Sequence, residues 1–159
     1  MRKFCYFVCL MFTLFSAVFL ISKRTESVNK IFNSSCDIII DAGHGYPDGG
    51  AVAADGTIES QLNLQISLLL EQKLSDLGYN CLLTRSDENG IYSEGDSIHA
   101  KKVSDIRNRV SLANKNKNAF LISIHLNTYP SQNVRGIQVF DKSNNGFGEN
   151  FAEEVQNAI

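Results

Sequence analysis

The sequence predicts an α/β fold: three layers, a mostly parallel sheet with helices on both faces. Three observations predict it. A short β-branched run, Ile38-Ile39-Ile40, breaks into a glycine-rich turn, as a buried strand does on leaving a sheet. Apolar residues then recur at helical spacing from Leu62 to Leu77 before a second strand-like run, Tyr79 to Thr84. A strand–helix–strand unit of that length implies a right-handed crossover to a parallel partner. A third apolar run, Ala119 to Ile124, follows a second helical stretch. At 159 residues the chain suits one domain with a sizeable core.

The N-terminus is read first. Phe4 to Ile21 contains eighteen residues without a charge and follows Arg2 and Lys3. That is the short end of a bilayer span of ~17–25 residues and longer than the ~7–15-residue apolar core of a signal peptide. No small-x-small cleavage site closes it, and Leu20-Ile21-Ser22 runs into Lys23-Arg24. Residues 1–24 are therefore expected to be an uncleaved signal anchor, with a cleaved signal peptide as the alternative. Both export the rest of the chain. Residues 25–35, polar with scattered apolar positions, read as a tether, and residues 36–159 as the domain itself.

The first strand is expected over Cys36–Asp41. The loop from Gly43 to Gly56 holds five glycines and Pro47, which marks a shaped connection. Thr57 is the expected helix N-cap, with Glu59 in the first turn and Leu62, Ile66, Leu69, Leu70, Leu74 and Leu77 on the inner face. Gly78 closes that helix. Ser86 to Val103 reads as a long polar loop, and His99 within it as a solvated side chain. Asp105 to Asn114 forms the second helix, with Asp105 and Arg109 paired at the surface across one turn. Gly136 to Phe140 is a fourth short strand, and a helix begins near Gly148.

Charge narrows the function. Of 15 Lys+Arg, four flank the apolar N-terminus, leaving 11 against 17 Asp+Glu, a net of −6. An acidic domain without a basic stripe excludes nucleic acid as a natural partner. Cys5 and Cys9 lie in the apolar segment, and no CxxC exists. Cys36 and Cys81 suit either a disulfide of an exported domain or two separate buried thiols.

Three residues at element ends carry the chemistry. His44 sits among glycines where the first strand ends, Glu59 opens the first helix, and His125 ends the third strand. Open α/β sheets place sites at the C-terminal ends of strands. Two histidines and a carboxylate there form a three-ligand zinc site with one position left for water. Singly, each has a plainer reading: His44 and His125 as hydrogen-bonded strand-end histidines, and Glu59 as a carboxylate on the helix dipole, contributing under ~1 kcal/mol.

Several separate motifs agree in order with one known family. DAGHGYPDGGAV (Asp41–Val52), ESQLNLQIS (Glu59–Ser67), LLTR (Leu82–Arg85), RVSLAN (Arg109–Asn114) and ISIHLN (Ile122–Asn127) resemble the zinc-dependent N-acetylmuramoyl-L-alanine amidases. The resemblance covers almost everything after residue 36. It implies that His44, Glu59 and His125 hold Zn²⁺, and that the substrate is peptidoglycan. The bond cut is then the amide between the lactyl group of N-acetylmuramic acid and L-alanine. Arg85 and Asn127, on the expected rim, are candidates to touch substrate, with structural roles as the alternative. GIYSEGDS (Gly90–Ser97), KVSDIRNRV and GIQVF resemble the CwlD-type, germination-specific amidases of the spore cortex, which implies action in the envelope or forespore intermembrane space.

One departure stands out. The family carries a further catalytic glutamate on a late strand, and Glu149, Glu153 and Glu154 do not match its motif. The expected general base lies beyond Ile159, so the domain is read as incomplete at its C-terminus. A non-catalytic peptidoglycan-binding module, or an inactive remnant of such an amidase, is the competing reading. An unrelated zinc peptidase is disfavoured by the absence of HExxH. An accessory protein is compatible with this reading, but no segment marks a site for one.

Overall fold

The computed structural model describes residues 37–128, 133, 136–142 and 146–159. The expected signal anchor, the tether and Cys36 lie outside the described residues. Two compact units are present, one ending at Leu126 and the other comprising Asn127–Ile159.

The first unit is built on three parallel strands, β1 (Ile38–Ala42), β2 (Cys81–Leu83) and β3 (Phe120–Ile124), in the order β2-β1-β3. Ile38 lies opposite Cys81 on one side and Phe120 on the other, and Ala42 lies opposite Ile124. β1 is thus central, and its Ile39, Ile40 and Ala42 are almost wholly buried. Helix α1 (Glu59–Asp76) links β1 to β2, and α2 (Ile98–Lys115) links β2 to β3. These links run in opposite directions across the sheet, so crossovers of one hand place the helices on opposite faces. Side-chain alternation sets Ile39 and Asp41 on one face and Ile40 and Ala42 on the other. Arg109 of α2 reaches Asp41, which assigns α2 to the first.

Helix α1 departs from its expected details. Its N-cap is Ile58, not Thr57, and no side chain caps it. Carbonyls of the glycine loop do so instead: Glu59 N–H donates to Ala51 O (2.9 Å) and Ser60 N–H to Gly49 O (3.0 Å). The buried stripe is Ser60, Asn63, Leu64 and Ser67, whereas Ile66, Leu69 and Leu77 are exposed. Small and polar residues therefore make the close approach, and Asn63 donates to Gly43 O (3.2 Å) just past the end of β1. Its C-terminus ends as expected: Gly78 has φ +91° and Tyr79 N–H donates to Leu74 O.

Helix α2 begins at Ile98, seven residues before the expected start, with the Ser97 hydroxyl accepting from Ala100 N–H (3.1 Å). His99 is in its first turn and is exposed. The preceding loop is bound to the helix: Asn108 donates to Ile91 O, and Asp105 accepts from Ile91 N–H.

In the second unit, α3 spans Gly146–Ala158. The expected strand at 136–140 is not formed. Gln156 of α3 takes the place of a strand neighbour, its side-chain amide donating to Ile137 O (3.0 Å) and accepting from Val139 N–H (3.2 Å).

Candidate metal centre

Each of the three expected ligands is placed by a different element end. After β1 the backbone turns sharply through His44 (φ +60°) and Gly45 (φ +142°). A histidine in the left-handed region is uncommon and costs on the order of 1–3 kcal/mol. Here it is held: Arg109 donates to His44 O (2.6 Å), and Gly45 and Asp48 exchange backbone hydrogen bonds of 2.9 Å. The turn aims the His44 ring back toward the start of α1, where Glu59 is 6% exposed. His125 follows β3 directly, and Gly43 N–H donates to Ile124 O (3.0 Å), which fastens the two strand ends together.

The side chains converge. His44 Nε2 is 3.2 Å and His125 Nδ1 3.3 Å from Glu59 Oε1. One ligand-type atom from each of the three lies within 4.8 Å of the others, the only such grouping among the described residues. The imidazole rings meet edge to face at 4.9 Å between centroids. Burial works against a charge on Glu59, but Ala51 and Leu126 N–H groups, His44 and Asn63 outweigh it and hold its carboxyl below the usual range. Oε2 accepts from Ala51 N–H (2.8 Å), and Oε1 from Leu126 N–H (3.0 Å).

The donor set fits a divalent metal. The Asp48 carboxylate lies 2.9 Å from His44 Nδ1. Burial opposes its charge, and hydrogen bonds from His44, Lys102 and Gly50 N–H prevail, so Asp48 too is held ionised. An ionised carboxylate only accepts, so Asp48 takes an Nδ1–H, and Nε2, facing the ionised Glu59 Oε1, is left to a metal ion or a second proton. Two acceptors at 3.2 Å repel unless a cation or a second proton lies between them. Two imidazoles and a carboxylate so arranged suit zinc by ligand type.

The site opens into a groove of about 560 Å³ on the α2 face of the sheet. His44, His125, Asp41, Lys102, Ile106 and Leu121 are among the residues that line it.

The remaining candidates separate. Arg85, expected at the rim, is 4% exposed, and its donors go to backbone carbonyls: Ala42 O (2.9 Å), Gly43 O (3.0 Å), Ser60 O (2.7 Å) and Asp87 O (2.8 Å). Strand-end carbonyls with no further sheet partner take up the guanidinium, so this side chain is turned away from substrate. Asn127 is exposed, two residues past His125, and begins the second unit. Arg109 pairs with Asp105 as expected, but the pair is not at the surface; the guanidinium also reaches Asp41, Ala42 O and His44 O. Sequence reasoning gave Asp48 no part in orienting His44. The signal was its spacing of four residues from His44 across a glycine-containing turn, in which Gly45 and Asp48 pair their backbones.

A parallel α/β sheet thus carries, beside the C-terminal ends of β1 and β3, a His–Glu–His cluster that could hold a metal ion. The chain belongs to the N-acetylmuramoyl-L-alanine amidase family, whose model matches residues 38–159. It is 33% identical over 123 residues to a germination-specific N-acetylmuramoyl-L-alanine amidase of Bacillus subtilis, covering 77% of this chain and 52% of that protein. A putative N-acetylmuramoyl-L-alanine amidase of Buchnera aphidicola is 35% identical over 104 residues, 65% of this chain and 38% of the relative. The chain thus spans about half or less of the curated relatives it matches. Among solved structures, the CwlD amidase of Clostridioides difficile in complex with the GerS lipoprotein superposes with TM-score 0.69 at 29% identity. That match covers 77% of this chain and 66% of the other. An N-acetylmuramoyl-L-alanine amidase of Clostridium difficile gives TM-score 0.60 at 29% identity, over 78% and 62% of the two chains.

Proposed function

We propose that this chain forms the zinc-holding part of an exported cell-wall amidase. Its reaction is hydrolysis of the amide between the lactyl group of N-acetylmuramic acid and L-alanine of the stem peptide, and its setting is the spore cortex. The observation that carries the reading is the convergence of His44, Glu59 and His125 within 4.8 Å at one sheet edge. The likeness to a germination-specific relative supports the setting, and the uncharged N-terminal segment supports membrane attachment outside the cytoplasm. The C. difficile structure contains a lipoprotein partner; a partner of that kind is part of this proposal.

His44, Glu59 and His125 would hold the ion. When bound, zinc supplies Lewis acidity toward a carbonyl oxygen and lowers the pKa of water. The chain's own residues do the rest. Glu59 contributes charge without needing to lose a proton, since backbone N–H groups already hold it ionised. The groove beside the cluster receives the substrate. Both Glu59 oxygens accept backbone N–H bonds, so this carboxylate is poorly placed to shuttle a proton to the leaving amine. The family glutamate that the resemblance places on a late strand is assigned that role.

The test starts with cells expressing the tagged chain. It should sediment with membranes, together with any partner that co-purifies, and carry one Zn²⁺ per chain. His44→Ala, Glu59→Ala and His125→Ala should each lose most of the metal. Equal zinc in wild type and all three variants would remove the ligand assignment, and a cytosolic product would remove export.

A further inference from the structure

We infer that Asp48 is a positioning residue for the metal centre: it fixes the tautomer and ring direction of His44, and Lys102 of α2 holds Asp48 in place to do so. The inference rests on the zinc reading above and goes beyond it, because it assigns a function to residues that do not ligate.

His44 has two ring nitrogens, and only one can face the cluster. Nε2 does, 3.2 Å from Glu59 Oε1, while Nδ1 lies 2.9 Å from Asp48 Oδ2. A carboxylate cannot donate, and the Asp48 contact is the shorter of the two, so it holds the proton on Nδ1 against Glu59 and leaves the Nε2 lone pair for a metal. Without Asp48, either nitrogen can carry the proton, and the ring is free to turn about its χ2 torsion. Hydrogen-bonded carboxylates behind metal-bound histidines also raise ligand basicity, and losing one typically costs ~10–100-fold in metal affinity.

Asp48 is itself constrained from two sides. Its Oδ1 accepts from Gly50 N–H (3.3 Å), within the glycine loop. Its Oδ2 receives Lys102 Nζ at 3.0 Å, from the second turn of α2. The Lys102 side chain is 46% exposed and that of Asp48 23%, so the pair sits at the groove mouth rather than in the core. Exposed ion pairs contribute little to stability. The geometric consequence is larger: the lysine draws Asp48 Oδ2 to one spot, and that spot defines where Nδ1–H can point. Arg109, seven residues further along the same helix, grips the His44 carbonyl at 2.6 Å. Helix α2 therefore holds both the backbone of this ligand and, through Asp48, its ring.

The experiment uses the full chain purified in detergent, with ¹⁵N-labelled histidine. Zinc affinity is measured by competition with a chelator, and the His44 ring nitrogens are read by NMR with and without metal. Asp48→Ala should weaken zinc binding by ~10–100-fold and shift metal-free His44 from one Nδ1-protonated tautomer toward a mixture. Asp48→Asn, which keeps an acceptor without the charge, guards against a folding defect and should fall between alanine and wild type. Lys102→Ala should lower affinity by less than Asp48→Ala. Wild-type affinity and an unchanged His44 tautomer in Asp48→Ala and Asp48→Asn would overturn the inference. If wild type itself binds no zinc, the metal reading fails, while the tautomer shift in metal-free protein still decides the role of Asp48.

Discussion

Gly43 has no side chain because a ring occupies the space. A Cβ built there would lie 2.4 Å from His125 Cε1 and 2.7 Å from Ile124 O. The alanine variant must therefore push away the His125 ring, the β3 carbonyl, or both. Gly43→Ala is expected to cost about 1–3 kcal/mol of stability by overpacking and to lower zinc occupancy, because His125 loses its approach to Glu59. Chemical denaturation and metal analysis on the same preparation check this. Full zinc occupancy with a merely lowered midpoint would show that the ring moves aside without leaving the cluster. The glycines and the two histidines could be read from the sequence because each lies where a regular element stops. Arg85 could not be read the same way. An arginine just after a strand suggests an exposed rim, and only the fold reveals the Ala42, Gly43 and Ser60 carbonyls that draw it inward.

At the scale of elements, α2 is joined to β1 by charge. Asp41 accepts from Arg109, Thr84 and Ser123. Burial opposes ionisation of Asp41, yet the Arg109 charge and these hydrogen bonds prevail, and its pKa falls below the ordinary 3.8. A carboxyl with a lowered folded-state pKa stabilises above its unfolded value, and that contribution is lost as pH falls through the folded value. Asp41→Asn should therefore unfold about 1–3 kcal/mol more easily than wild type at pH 7. The gap should close as pH drops below about 4, toward the lowered pKa of Asp41. Urea unfolding of both proteins at neutral and acid pH checks it, and a gap that persists unchanged in acid would show that charge is not the source. The strand sequence and both βαβ units were legible because apolar runs and glycine stops are local signals. The first two turns of α2 were not, since Ile98 to Lys102 shows no apolar periodicity and is helical through the Ser97 cap and its packed loop. The inner face of α1 was not legible, because periodicity counts leucines, whereas the buried stripe includes Asn63, which reaches Gly43 O, and Ser67.

Taken as a whole, the molecule places a metal-type cluster between β1 and β3, with a groove beside it. The strand order β2-β1-β3 puts that edge where connections reverse direction, the usual location of a crevice in doubly wound sheets. Amide hydrolysis needs more than a polarised carbonyl: the departing amine must gain a proton. The carboxylates at the cluster are already engaged, Glu59 by two backbone N–H groups and Asp48 by His44 and Lys102. Glu149, Glu153 and Glu154 are exposed on α3 of the second unit. A positioned acid–base group typically contributes ~10²–10⁴-fold. A polypeptide of these 159 residues should therefore release L-alanine amino termini from purified peptidoglycan more slowly, by about that factor, than one extended by a family-type C-terminal segment. The comparison is made at equal zinc occupancy, so that a metal deficit does not imitate a missing base. Comparable turnover by the two would show that a proton-transfer group already lies within these residues.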